Sequence, residues 1–178
     1  MNRLKCCKSL ICTALWALAA VTISLTLSAC DDDDDNVVVN PIVYNDQPVS
    51  FSKVYVKEQK TGYNIYFKDE DEQEVCWLDI PKEFVGRTCS LTADLTHYSE
   101  SLYEKFTTGI GIGNDEFWND DNNFTRGTIY VNVSNDLLVI KVMATGTGYR
   151  YETDDIRYPQ EGVIVINYVG TYLKVNNG

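Results

Sequence analysis

From residue 49 onward the apolar side chains recur at every second position rather than every third or fourth, and Tyr, Val, Ile and Thr are abundant. A period of two puts alternate residues on opposite faces of an extended chain, so this region reads as half-buried strands. Residues 51–57 and 63–68 alternate cleanly and are joined by "EQKTG", in which Gly62 can supply a positive φ, which predicts a first hairpin. "DEDEQE" at 69–74 reads as a solvated turn, "VCWLDI" at 75–80 as a third strand, and "PKEFVG" at 81–86 as a short helical turn closed by Gly86. The most regular segment is 125–146. There Ile129, Val131 and Val133 precede the tight polar turn Ser134-Asn135-Asp136, and Leu138, Ile140 and Val142 follow it, which predicts a second hairpin. Residues 149–160, "YRYETDDIRYPQ", read as a loop, and residues 161–175 as a last strand bent or bulged at Gly170. Residues 95–106 fit neither period and predict a short helix or an irregular crossing. Nothing repeats at a fixed long period, which argues against a solenoid.

The first 29 residues have a different pattern. Arg3, Lys5 and Lys8 form a basic start, and no charge follows from Ser9 to Ala29. A membrane-spanning helix needs about 20 apolar residues, so the run is long enough to be one. Its end points instead to a cleaved signal: Leu27, Ser28, Ala29 and Cys30 resemble the bacterial lipobox, in which small residues precede the lipidated cysteine. The resemblance implies removal of residues 1–29 and diacylation of Cys30. Several acyl chains on one cysteine exceed what stable anchoring requires, so the expected membrane partner is reached through lipid and not through a spanning helix. Residues 30–48 are then an acidic linker, and residues 49–178 the domain.

Five aspartates, Asp31, Asp32, Asp33, Asp34 and Asp35, follow the cysteine directly. Like charges in a block repel and stay solvated, so the run serves at least as an extended spacer. It also resembles the export address of surface lipoproteins in the Bacteroidota, which implies display on the outer face of the outer membrane. In enteric bacteria an aspartate after this cysteine implies the opposite, retention at the inner membrane. The favoured expectation is an outer-membrane lipoprotein facing the cell exterior.

Removal of residues 1–29 leaves 149 residues with all 26 acids and 12 of the 15 bases, a formal charge of −14. Polyanionic partners need basic patches, which sets nucleic acid aside. A chain of this length is about one domain and can bury a core without staples. Of six cysteines, Cys6, Cys7 and Cys12 leave with the signal and Cys30 takes lipid, so Cys76 and Cys89 remain. They either form a disulfide, which contributes about 3 kcal/mol in the chain-entropy picture, or stay as core thiols.

"DIPKEFVGRTCSLTADL", "RGTIYVNV", "VIKVMA" and the closing "GVIVINYVGTYLKV" together resemble a group of small lipoproteins of the Bacteroidota with no established catalytic role. The likeness covers about two thirds of the chain after the signal. It implies an all-β domain, a single antiparallel β-barrel or β-sandwich of about eight strands, and no activity.

Chemistry is sparse. His97 is the lone histidine, no serine sits in a G-x-S-x-G elbow, and one histidine with two separated cysteines gives no zinc spacing. No catalytic residue, cofactor or metal ligand is therefore assigned. The acidic stretches 69–74 and 114–123 lack the glycine and glutamate of an EF-hand loop. In the second of these, Phe117 and Trp118 could stack on a sugar while Asp115, Asn119, Asp120 and Asn122 accept its hydroxyls; the alternative is that both aromatics fold back to plug the mouth of a barrel. Trp77 alternates with Val75 inside a strand and reads as packed. The expected function is a non-catalytic binding module for a glycan or protein ligand. A structural or accessory subunit of an envelope complex, gaining a partner strand at a sheet edge, is the alternative.

Overall fold

The computed structural model describes residues 41–101, 103–153 and 156–175. The expected signal segment, Cys30 and the aspartates Asp31 to Asp35 lie outside the described residues. In chain order the strands are β1 (Ile42–Tyr44), β2 (Gln47–Val49), β3 (Lys53–Glu58), β4 (Gly62–Lys68), β5 (Glu74–Pro81), β6 (Thr88–Ser90) and β7 (Thr96–Ser99). They continue as β8 (Glu104–Thr107), β9 (Gly109–Ile112), β10 (Asp115–Trp118), β11 (Phe124–Ser134), β12 (Leu137–Thr153), β13 (Ile156–Gly170) and β14 (Leu173–Val175). The segment expected as a helical turn holds a 3-10 turn, Lys82–Phe84.

The spine is the pair β12–β13, matched in antiparallel register from Leu138↔Gly170 to Thr153↔Ile156. Burial alternates strictly along β12 as far as Gly148, with Leu138, Ile140, Val142 and Ala144 inside. Asn135 and Asp136, both at positive φ, make the two-residue turn from β11, as the hairpin signal predicts. The segment 149–160, expected as a loop, is instead strand almost throughout. Its described side chains are mostly exposed, Ile156 and Tyr158 among them, and it is held by pairing and by Arg157 over the Tyr149 ring at 4.3 Å.

β12 is long enough to have two successive neighbours on one side. Residues 137–146 pair with β11, which carries β6 at its edge, and Tyr149 and Arg150 pair with β10. From β10 the sheet continues through β9, β5, β4 and β3 to β14, while β1 and β2 extend it beyond β13. All pairings are antiparallel except β14 with β3, so the sheet is mixed, and no pairing joins β14 to β2 among the described residues. Residues 95–106, the segment of uncertain period, form neither a helix nor a crossing but a separate two-stranded sheet, β7–β8. The domain also starts before residue 49: Ile42 is fully buried and pairs with Ile166. The strands beyond the expected eight are mostly three or four residues long, too short to show a period of their own.

One cluster of buried residues draws on β1, β3, β4, β5 and β9 to β13. Phe67 on β4 meets Tyr168 on β13 edge-on at 5.6 Å, although the two strands lie far apart along the sheet. The sheet therefore folds over so that its inner faces oppose. Phe51 closes the same corner at 5.0 Å from Phe67. Each fully buried side chain of this size contributes roughly 1.5–3 kcal/mol.

Candidate functional site

With Cys76, Leu78 and Ile80 inside, the pleat of β5 turns Trp77 and Asp79 to the outer face. The ladder then fixes their neighbours. One row runs Tyr66, Trp77, Gly111, Glu116 and the next runs Asn64, Asp79, Gly109, Trp118, across β4, β5, β9 and β10. The glycines of "GIG" leave a trough between the two tryptophans, and both indoles lie in it. A Cβ at Gly111 would collide with Trp77 Nε1 and Cε2, and one at Gly109 would lie 2.5 Å from Trp118 Cζ3 and 2.9 Å from Trp77 Cζ3. The rings meet at 4.9 Å between centroids with planes tilted by 42°. Neither belongs to the buried core, and both are partly open to solvent.

Polar groups rim this platform. Gln59 Nε2 donates to Asn64 Oδ1 at 2.8 Å, and Asn64 Nδ2 donates to Asp79 Oδ1 at 2.6 Å. On the other side Trp118 Nε1 donates to Glu116 Oε2 at 3.0 Å. Burial pushes the Asp79 carboxyl up to about 6, against the lowering effect of the Asn64 bond and with the help of Glu74 and Glu116. Glu74 is also raised, chiefly by burial, with Lys68 opposing and Glu116 reinforcing. The surface combines flat apolar faces with hydrogen-bonding acids and is open on its solvent side.

The six residues singled out in 114–123 are divided among different roles. β10 is a strand, so Phe117 and Trp118 point to opposite faces. Phe117 is fully buried against Tyr44 and Phe124, as the plugging alternative expects. Asp115, also buried, accepts two N–H bonds from Arg150 at 2.7 and 2.8 Å and the Tyr44 hydroxyl at 2.8 Å. Burial works against ionisation there, but these bonds and the Arg150 charge carry its pKa below the ordinary value. Asn119 is a strut: its Oδ1 accepts from Leu95 N, and its Nδ2 donates to the carbonyls of Leu91 and Ala93. Asp120 pairs with Lys105 at 2.5 Å, and Asn122 takes a left-handed turn position at φ 56°. Only Trp118 stands on the platform. Trp77, Asn64, Asp79 and Glu116 are the residues that sequence reasoning missed, and the off-phase position of Trp77 against Cys76 and Leu78 was the available signal.

The remaining chemistry is quiet. Cys76 and Cys89 are both free thiols, not a disulfide: Cys76 lies inside β5, where burial raises its pKa, and Cys89 lies on β6 opposite Ile129. The two strands have no common neighbour to bring the thiols together. His97 Nδ1 lies 3.5 Å from Glu83 Oε1. Asp69 Oδ1 accepts from the backbone of Asp71 and Gln73, closing the 69–74 turn on itself. Among the described residues no set of three or more His, Cys, Asp or Glu is gathered for a metal ion, and no helix is long and apolar enough to cross a membrane. No protein-family description, curated protein or solved structure matches this chain.

Proposed function

We propose that the chain is a lipid-anchored envelope lipoprotein, tethered through Cys30 and displayed at the cell surface, whose β-sandwich domain binds a glycan without chemistry on the Trp77–Trp118 platform. One observation carries the binding reading: two indoles lie side by side on a strip of β9 where only glycine fits, partly open to solvent. The C–H face of a pyranose is a flat apolar partner for such rings, and Asp79, Asn64 and Glu116 stand where its hydroxyls need acceptors and donors. Covering about 80 Å² of indole contributes roughly 2 kcal/mol before ordering costs. Single-site affinity is therefore weak, and a crowd of anchored copies compensates by avidity.

Native gels cast with soluble polysaccharides test this, because retardation detects weak binding. Retarded wild-type protein and unretarded Trp77→Ala and Trp118→Ala variants with unchanged melting temperatures support the platform. Equal retardation of all three sinks it. Protease cleavage of a tagged domain on intact cells, beside a Cys30→Ala control, tests the placement.

The accessory-subunit reading has its own support further along the same sheet, on β12–β13. Met143 is 67% exposed and Val163 45% on the outer face of β12–β13, and Val169, further along β13, is half-exposed. A partner held there is expected to co-purify with the Trp77→Ala variant and to be lost from Met143→Lys.

A further inference from the structure

The charges around the two indoles narrow the ligand class, on the footing of the platform reading above. Glu74, Asp79 and Glu116 act on one another through space, and the cation that offsets them there, Lys68, acts on Glu74 while its Nζ lies 5.5 Å over the Tyr55 ring. Asp79 uses Oδ1 for Asn64, and Glu116 uses Oε2 for Trp118. Asp79 Oδ2 and Glu116 Oε1 have no hydrogen-bond partner among the described residues. No fully enclosed side-chain oxygen or nitrogen there is without one, so neither oxygen is sealed inside the protein.

A surface built for neutral sugars alone has no use for this excess of negative charge, which costs free energy by mutual repulsion. An ammonium group relieves it in two ways. It makes charge-assisted hydrogen bonds to carboxylate oxygens, and it is drawn to the negative face of an indole. A uronate or sulfate ester meets the opposite field. We propose that the platform selects glycans that carry a free amine, such as de-N-acetylated amino sugars: the ring stacks on Trp77 and Trp118, and the ammonium is held by the unpaired oxygens of Asp79 and Glu116.

The test uses the full-length protein in detergent and three β-linked oligosaccharides of equal length: an N-acetylated chitin oligomer, its fully deacetylated form, and an oligouronate. Dissociation constants are measured by calorimetry at low and high salt. The deacetylated oligomer is expected to bind roughly tenfold tighter than the acetylated one, and the uronate not at all. That advantage shrinks in high salt and disappears in Asp79→Asn and Glu116→Gln, near-isosteric changes that leave the indoles in place, whereas Trp77→Ala removes binding of both oligomers. Equal, Trp77-dependent affinity for acetylated and deacetylated forms overturns the amine preference and leaves the platform standing. Binding of the amine that survives Trp77→Ala and vanishes with salt marks mere attraction to an acidic protein and overturns the proposal. Absence of binding by every oligomer overturns it together with the platform.

Discussion

Asp115 and Asp79 stand on the same sheet, one at its inner mouth and one on its outer face, and they are treated oppositely. Asp115 is the more buried, yet two guanidinium N–H groups and a phenol hydroxyl compensate its charge, and its pKa falls. Asp79 has one amide donor and two neighbouring acids, and its pKa rises to about 6. Burial raises both carboxyls; at Asp115 the Arg150 and Tyr44 bonds outweigh it, whereas at Asp79 the single Asn64 bond does not and Glu74 and Glu116 add to it. The first arrangement is closed on itself and stabilises the fold. The second leaves capacity for something from outside.

Changes at the inner mouth should cost stability, and changes on the outer face should cost little. The largest effect is expected for Phe117→Ala, beside Asp115, at about 3–5 kcal/mol in urea unfolding because a fully buried ring is lost. Loss of less than about 1 kcal/mol would mean the inner mouth is loosely packed. Next comes Asp115→Asn, which leaves the Arg150 guanidinium and the Tyr44 hydroxyl short of an acceptor and should cost roughly 1–3 kcal/mol. On the outer face, Gly111→Ala pushes Trp77 off the trough. It should cost about 1–2 kcal/mol and red-shift tryptophan fluorescence, and an unchanged spectrum would show that the indole does not lie on β9.

The smallest change at neutral pH is expected for Asp79→Asn, within about 1 kcal/mol, because relief of a strained charge offsets a weakened bond to Asn64. Its signature lies in the pH profile. The folded-state pKa of Asp79 is above its ordinary 3.8, so its contribution to stability is complete below about pH 4 and is lost as pH rises through about 6. Asp115 is the reverse: its contribution is present above about pH 4 and is lost as pH falls through its depressed folded value. Thermal melts between pH 3 and 8 should flatten above pH 4 in Asp79→Asn and at the acid end in Asp115→Asn. Identical profiles for the two variants would erase the distinction between the regions.

The β3–β4 and β11–β12 hairpins were legible because one of their faces is buried and the other wet, so the pleat is written into the residue order. The 149–160 ribbon was hidden for the converse reason: none of its described residues is buried, so no apolar alternation marks it. β9 and β10 were hidden by brevity and by glycine, which reads as a turn in isolation but serves here as a floor for aromatic rings. Phe117 and Trp118 looked like a pair in the chain and are separated by the pleat, whereas Trp77 and Trp118, distant in the chain, are joined by it. The 95–106 hairpin gave no signal of either period, because its pairing is local and its faces are mixed.

The sequence by itself determined the strand period, the two regular hairpins and the acidic composition, since these depend on residue types and on residues adjacent or alternate in the chain. It also carried the lipobox-like run and the aspartates as an expectation about the envelope. Which aromatic meets which, which carboxylate is compensated and which is left open were decided only by tertiary structure. Cross-strand register sets those neighbours, and register depends on how every strand between them pairs.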